Sequence, residues 1–253
     1  KFTLQTPPVL QIEKNALYKK YSKCETEQFS FGEKNADKVF YIIKRTPGTG
    51  FFSNIFFVIN HIIKAKKNGY IPIVDMKNFP NIYNEYKELF KTKNSWEYYF
   101  ENLSNTSLEE VYKSKNVIIS SNYFEKEFEV DLISNEIKYE FRKNLKIKKK
   151  FTYMINYLSK KYFDGSKVLG IHFRGTSYKR SPGHPFPATK KQMLNAINYL
   201  LTSEKYEKIF LVTEEEDYKN FLVKNFRDKI FFLSSSFRSF KNDAFKIYHR
   251  DKH

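Results

Sequence analysis

The chain has 253 residues, with 45 Lys and Arg against 28 Asp and Glu, and a formal net charge of +17. Its hydrophobic content of 41%, with 26 Phe and 19 Tyr, is too high for a disordered basic tail and predicts a packed core. The eight Gly and eight Pro exclude collagen-like and low-complexity classes, and a single cysteine, Cys24, excludes an internal disulfide and a cysteine-based zinc site.

The charge is carried almost entirely by lysine, since only seven of the 45 cations are arginine. An excess of Lys, Asn, Ile, Phe and Tyr is typical of AT-rich coding, so we expect much of the charge on solvated surfaces. The net positive charge still favours anionic partners: sugar nucleotides, acidic glycans or a membrane surface. A basic nucleic-acid-binding module is the competing class, and the dispersal of the lysines argues against it, so no nucleic-acid partner is expected.

The sequence contains no targeting or spanning segment that we can identify. The amino end lacks the apolar core of a signal peptide, and no stretch reaches the roughly 18 apolar residues of a spanning helix. With one cysteine, this predicts a cytoplasmic protein, with peripheral association at the inner face of the membrane left open. Lys1 is not an initiator methionine and the carboxyl end is abrupt, which predicts a fragment of a longer chain.

The amino half predicts a lead-in segment followed by a first α/β domain. Residues 1–37 are polar and irregular, and the apolar run 39–43 predicts a buried strand. Turn chemistry follows at 46–50, then a helix over 54–67 and a second strand over 70–74 that ends at Asp75. This strand–helix–strand unit predicts a parallel sheet within an amino-terminal domain spanning 38–160.

The middle of the chain predicts shorter elements and one long helix. Residues 96–100 predict a docked aromatic turn, and 116–120 a short strand. A helical period runs from about 132 to 162, with Lys146 and three further lysines at 148–150. A basic membrane-surface helix is one interpretation, and the solvated face of a domain-connecting helix is the favoured one.

The strand–helix pattern then restarts and predicts a second domain over 161–253. Strands are predicted at 167–173, 208–212 and 229–233, and helices at 189–202, capped by Thr189, and at 218–225. Two α/β units separated by a long helix predict two Rossmann-like domains facing a cleft. No short internal repeat is evident.

The loop after the first strand has some features of an anion-binding loop. Gly48 and Gly50 permit close backbone approach, and a helix amino end near Asn54 offers unpaired N–H groups. It is neither a P-loop nor a dinucleotide-binding fingerprint, because the required lysine and third glycine are missing. Taken alone, an ordinary strand–helix turn is the favoured interpretation.

The end of the strand at 167–173 is the more specific candidate site. His172 and Arg174 share one side of the strand, since side chains repeat every second residue. Arg174 at a strand end is placed to hold phosphate with a planar, permanently charged fork. Gly175 and Thr176 follow. Three roles for His172 stay open: it positions Arg174, donates to a phosphate, or only packs.

Thr213 and Glu214 follow the strand at 208–212, in the acidic run 213–217, and have two open interpretations. Either the whole run 213–217 is an acidic cap of the next helix, or Thr213 or Glu214 lines the ligand site. Metal binding is not predicted, because no Asp-X-Asp pair occurs and the five His show no ligand spacing. No Gly-X-Ser-X-Gly nucleophile motif occurs either.

The strand-end residues resemble a known family. The stretches 168–178 and 208–214, with His184-Pro185 between them, are similar to the donor-binding region of the fucosyltransferase superfamily. In the amino half, Gly50-Phe-Phe-Ser-Asn54 resembles the Gly-Phe-X-Asn loop of that family, and the stretches 74–75 and 94–100 are similar to later landmarks. The resemblance runs from about residue 39 to residue 233.

The resemblance implies a GT-B glycosyltransferase, inverting and metal-independent, that uses a GDP-sugar as donor substrate and needs no cofactor. It implies that Arg174, with His172 beside it, stabilises the departing GDP. The implied donor-binding residues are Gly48, Gly50, Phe51, Asn54, His172, Arg174, Gly175, Thr176, Thr213 and Glu214. The expected reaction moves a fucose-like or heptose sugar to a glycan hydroxyl in bacterial surface polysaccharide (capsule) synthesis.

The sequence departs from the family pattern in two respects. Ser177 stands where the family usually has Asp, and the catalytic base is unassigned among Asp75, His184 and Glu214. The chain also ends where the family continues, so we expect an incomplete carboxyl domain. A non-catalytic glycan-binding remnant of the family is therefore a further alternative.

Overall fold

The computed structural model describes residues 26–46, 48, 50–122, 135–175, 186–236, 238 and 239. The chain divides into two compact units, Lys1–Phe151 and Thr152–His253. The division falls inside a helix, and each unit contains its own sheet.

The first unit is built on a four-stranded mixed sheet. Its strands and helices are, in chain order, β1 (Glu27–Phe29), β2 (Lys34–Ile43), α1 (Phe51–Lys67), β3 (Ile71–Val74), α2 (Leu108–Val111), β4 (Ser114–Ile119) and α3 (Asn135–Asn144), with a 3-10 helix at Ser95–Tyr98. The spatial order is β1-β4-β2-β3. β2 runs parallel to β3 and β4, while β1 pairs antiparallel with β4.

The burial of the central strand β2 explains why its sequence is a continuous apolar run. Its last four residues are fully buried, with Tyr41 and Ile43 in one core cluster and Phe40 and Ile42 in another. A strand buried on both faces reads as a continuous apolar run rather than an alternating one. α1 packs its isoleucine-rich face into the cluster that contains Tyr41.

The second unit contains a three-stranded parallel sheet. Its elements are α4 (Lys149–Tyr162, shared with the first unit), β5 (Val168–His172), α5 (Lys190–Ser203), β6 (Lys208–Val212), α6 (Glu216–Phe226), a 3-10 helix at Arg227–Lys229, and β7 (Ile230–Phe231). The spatial order is β5-β6-β7. This is the predicted β–α–β–α–β run, and Thr189 caps α5 in a capping box with Gln192. The predicted α/β class is confirmed.

Four predicted boundaries are wrong. The lead-in over 1–37 contains β1 and the start of β2, because β1 finds its partner in the distant β4. α1 begins at Phe51 rather than residue 54, since Gly50 already caps it. The described part of the predicted helix over 132–162, from residue 135 on, is two helices, because the Glu101 amide donates to the Lys146 carbonyl and the Lys148 amide donates to the Tyr99 carbonyl.

The fourth boundary is that of β7, which is two residues long rather than five.

None of the helices in the described part of the chain is both long enough and apolar enough to cross a membrane.

Candidate functional site

The carboxyl ends of β5 and β6 lie side by side in the second unit. His172 is in register with Val212, and the Phe173 amide donates to the Val212 carbonyl at 3.0 Å. Exposure alternates along the strand end: Ile171 and Phe173 are buried, whereas His172 and Arg174 are exposed. Ligands of open α/β sheets bind beyond this edge, so the two exposed side chains stand where a ligand would approach.

A stacked aromatic pair holds the end of β5 in place. The ring of the fully buried Phe173 lies 3.9 Å, centroid to centroid, from the ring of Tyr218, and the two planes are 17° apart. Tyr218 belongs to α6, the helix that follows β6. The backbone that carries His172 and Arg174 is therefore fixed by the packing of Phe173 in the core.

One carboxylate, that of Glu214, contacts both residues that follow Phe173. The Nε of Arg174 lies 3.7 Å from Glu214 Oε1, and the Gly175 amide donates to the same oxygen at 3.2 Å. The Arg174 and Glu214 side chains are 42% and 26% exposed, so the pair adds little to stability. The pair places the Glu214 carboxylate beside the guanidinium at the sheet edge.

A side chain at position 175 would displace its neighbours. A β-carbon there would overlap the Glu215 carboxylate and lie 2.9 Å from the Tyr218 ring. Glu215 is buried, and its amide donates to Thr213 Oγ1 at 3.2 Å. Thr213 is therefore part of the turn that shapes this edge, and Glu216 and Asp217 occupy the first turn of α6 as the helix-cap interpretation predicts.

Residues 238 and 239, which are not among the predicted site residues, close this edge. The Ser239 carbonyl accepts from the Glu216 amide at 3.0 Å, and the Ser239 amide donates to the Glu214 carbonyl at 2.8 Å. The neighbouring Arg238 is buried and donates from its two Nη atoms to the Ser236 and Leu233 carbonyls, at 3.0 Å each.

Burial lowers the pKa of the Arg238 guanidinium, and the Glu216 charge opposes that shift. One signal in the sequence could have pointed to this segment. Three consecutive serines precede one of the seven arginines of the chain.

In the first unit, the side chain of Asn54 packs behind the loop after β2, close to Gly48. Gly48 has a φ of +78°, and a β-carbon on it would lie 3.1 Å from Asn54 Nδ2 and 3.1 Å from Asn81 Cβ. Asn54 is buried in the first turns of α1, and its amide donates to the Gly50 carbonyl at 3.0 Å. The helix end that faces solvent therefore begins at Phe51, three residues before the position that the sequence predicts.

Asp75, one of the three candidate bases, lies in the interior with its hydrogen bonds made. Its Oδ1 accepts from the Lys77 and Asn78 amides at 3.0 and 2.8 Å, and its Oδ2 accepts from Asn78 Nδ2 at 2.8 Å and from the Tyr112 hydroxyl at 2.7 Å. The side chain is fully buried. These four hydrogen bonds to the Asp75 carboxylate stabilise the turn after β3.

Two basic residues at the end of β2 also escaped the sequence analysis. Lys44 is only 2% exposed, and its amine lies 5.5 Å from the centroid of the Phe79 ring. The Arg45 guanidinium lies 4.5 Å from the centroid of the Phe57 ring and donates to the Asn122 carbonyl at 2.6 Å. The signal for this pair in the sequence is its position directly after a buried apolar run.

Two predicted site residues, Thr176 and His184, lie outside the described residues, as does Ser177. Within the residues that the structure describes, no three His, Cys, Asp or Glu side chains are grouped as metal ligands would be. The described residues thus bring together His172, Arg174, Gly175, Thr213 and Glu214 in the second unit, and Gly48, Gly50, Phe51 and Asn54 in the first.

The chain has a GT-B-like α/β fold of the fucosyltransferase type. It is similar to the crystal structure of NodZ α-1,6-fucosyltransferase soaked with GDP-fucose, with 14% sequence identity over 79% of this chain and 79% of that chain and a TM-score of 0.52. This likeness confirms the fold that the sequence resemblance predicts.

Two further NodZ structures are similar at lower scores. The enzyme co-crystallised with GDP matches at 15% identity over 78% of this chain and 79% of that chain, with a TM-score of 0.49. Fucosyltransferase NodZ from Bradyrhizobium matches at 15% identity over 78% of each chain, with a TM-score of 0.48. No family model matches the sequence, and no curated protein matches it significantly.

Proposed function

We propose that this chain is an inverting, metal-independent glycosyltransferase. It transfers a fucose-like or heptose sugar from a GDP-sugar to a glycan hydroxyl, in the synthesis of a bacterial surface polysaccharide such as a capsule, on the cytoplasmic side of the membrane. The observation that carries the proposal is the exposed Arg174 guanidinium, beside Glu214 at the carboxyl edge of a sheet in a fucosyltransferase-like fold.

The proposal assigns the two halves of the chain different substrates. Residues 161–253 bind the nucleotide sugar, because the ordered turn around Arg174 and Glu214 lies in that half. Residues 38–160 form the acceptor side. The loop with Gly48 and Gly50 before Phe51 adds backbone N–H groups at a helix amino end, where anions bind readily.

The chemistry needs positive charge where the diphosphate leaves. The acceptor oxygen forms a bond to the anomeric carbon on the face opposite the diphosphate, while the bond from that carbon to the diphosphate oxygen breaks. Negative charge then grows on the departing GDP, and a permanently charged, pre-oriented guanidinium stabilises it without reorganisation. Arg174 supplies that charge and His172, exposed on the same side of the strand, donates beside it.

The hydroxyl proton of the acceptor passes to a base. Asp75 is buried with four hydrogen bonds, and Glu214 holds Arg174 and the Gly175 amide. We therefore give Asp75 a structural role and Glu214 a positioning role, and of the three candidates we assign the base to His184.

The donor assignment is tested by titrating the full chain with GDP in a calorimeter. Charge-assisted hydrogen bonds contribute about 1.5–3 kcal/mol, so Arg174→Ala is expected to weaken GDP binding by about 10- to 100-fold. Arg142→Ala is the matched control, because Arg142 is an exposed arginine on α3. GDP binding that is absent, or equally weakened in both variants, would contradict the assignment.

The transferase assignment is tested by measuring GDP release from a panel of GDP-sugars with and without glycan acceptors. The expected result is acceptor-dependent release that is unchanged by a metal chelator and abolished by His184→Ala. Tight GDP binding without release from any donor would instead support a non-catalytic, glycan-binding member of this fold.

A further inference from the structure

The helix α4 presents apolar side chains to solvent in its middle turns. None of its 14 residues, Lys149–Tyr162, is buried. Tyr153 is 77% exposed and Tyr157 is 56% exposed. These two tyrosines are four residues apart, so they lie next to each other on one face of the helix. Contiguous exposed apolar surface on a soluble protein commonly marks an interaction site.

The same face is strongly basic. By helical spacing, Lys149, Lys160 and Lys161 flank the two tyrosines, and we call these five residues the α4 face. The stretch 145–162 contains six lysines and no acidic residue. Among the described residues none of those six lysines pairs with a carboxylate, whereas Lys113 and Lys208 elsewhere pair with Glu109 at 2.5 Å and Asp164 at 2.7 Å.

We propose that the α4 face docks on an anionic lipid surface. Tyrosine rings favour the headgroup level of a bilayer, where the ring is apolar and the hydroxyl stays hydrated. Lysines on either side extend their amines to the lipid phosphates while their methylene groups cover the apolar surface. The proposal is independent of the glycosyltransferase assignment and goes beyond it.

Charge decides between the possible occupants of the α4 face. A second copy of the chain would place lysines against lysines, which is unfavourable, so self-association through this face is not expected. A nucleic acid would satisfy the lysines, but it offers no apolar layer for the exposed Met154, which follows Tyr153 at the edge of the face. A lipid surface offers anionic headgroups to the lysines and an apolar layer to the tyrosines and Met154.

The test is co-sedimentation of the full chain with vesicles of phosphatidylcholine mixed with phosphatidylglycerol, and with vesicles of phosphatidylcholine alone. Binding is expected only to the anionic vesicles and is expected to fall as salt is added. A lysine near an anionic surface contributes about a fivefold factor in affinity. The double change Lys160→Gln and Lys161→Gln is therefore expected to lower the affinity by about 25-fold, and Tyr153→Ser with Tyr157→Ser by about tenfold or more.

Matched controls separate this face from the overall charge. Lys224→Gln with Lys229→Gln removes the same charge from exposed positions elsewhere, and Tyr199→Ser removes an exposed tyrosine of α5. Both controls are expected to bind vesicles as the parent chain does, and thermal unfolding verifies that each variant is folded. Equal losses in controls and α4 variants, equal binding to neutral vesicles, or no binding would overturn the proposal. So would binding only to an oligonucleotide.

Discussion

The α-carbon of Gly175 faces the buried carboxylate of Glu215 with no space for a side chain between them. This contact joins the turn after β5 to the turn after β6. The Glu214 side chain, next in the chain to Glu215, holds the Gly175 amide and lies beside Arg174. The geometry of the candidate site therefore depends on a residue that contributes no functional group.

The first prediction concerns this close approach. Gly175→Ala is expected to lower the free energy of unfolding by about 1–3 kcal/mol, because the added methyl overpacks a rigid site. Gly170→Ala is the control: Gly170 lies on β5, and a β-carbon there would meet nothing within 4 Å. Chemical denaturation of both variants measures the difference, and equal stability of the two would refute the steric argument.

The second prediction separates positioning from binding in the pair of Arg174 and Glu214. Glu214→Gln keeps the shape of the side chain but removes its charge, so the guanidinium loses part of its orientation. We expect GDP affinity to fall by about three- to tenfold, less than in Arg174→Ala. In the double variant the two effects are expected to be non-additive. Calorimetric titration of the four proteins measures the coupling, and strictly additive losses would show that Glu214 acts independently.

The third prediction tests the structural role of Asp75. Asp75→Asn places an amide donor opposite the Tyr112 hydroxyl or Asn78 Nδ2, and its buried partners lose an acceptor. The expected cost in unfolding free energy is about 3 kcal/mol, against about 1.5 kcal/mol for Tyr112→Phe. If Asp75 were instead the catalytic base, Asp75→Asn would abolish transfer at unchanged stability. Parallel denaturation and activity measurements distinguish the two outcomes.

The fourth prediction concerns pH. Burial, and then the charges of Tyr83, Tyr98 and Glu85, raises the pKa of Tyr99 from its ordinary value of 10.0 to about 12. Below pH 10.0 the phenol is neutral in both states. Between that pH and about 12 the unfolded chain releases the proton while the folded chain keeps it, so stability falls as pH rises.

Absorbance titration of phenolate formation measures this pKa. Tyr99→Phe is expected to remove a late-titrating phenol, whereas Tyr153→Phe removes an exposed phenol of α4 and serves as the matched control. The alkaline loss of stability is expected to be smaller in Tyr99→Phe than in Tyr153→Phe. Identical titration curves for the two variants would contradict the burial of Tyr99.

Elements whose signals are local were predicted well. The strand Lys208–Val212 has its predicted bounds, because a short apolar run in a parallel sheet is recognisable from its own residues. The cap of α5 is equally local, since Thr189 and Gln192 bond to each other's backbone. The break at 145–148 could not be predicted, because it results from hydrogen bonds to residues 99–101, which are distant in sequence.

The sequence by itself determined the α/β class, the strand ends and the residue types at those ends, including His172, Arg174 and Glu214. These follow from hydrophobic period and turn chemistry, which are properties of neighbouring residues. Only the tertiary structure decided that Glu214 lies beside Arg174, that Gly175 packs against the Glu215 carboxylate, and that Asp75 is buried with four hydrogen bonds. Such contacts join residues about 40 positions apart. Those of Arg174 and Gly175 with Glu214 exist only once β5 is in register with β6, and that of Asp75 with Tyr112 only once the first unit is folded.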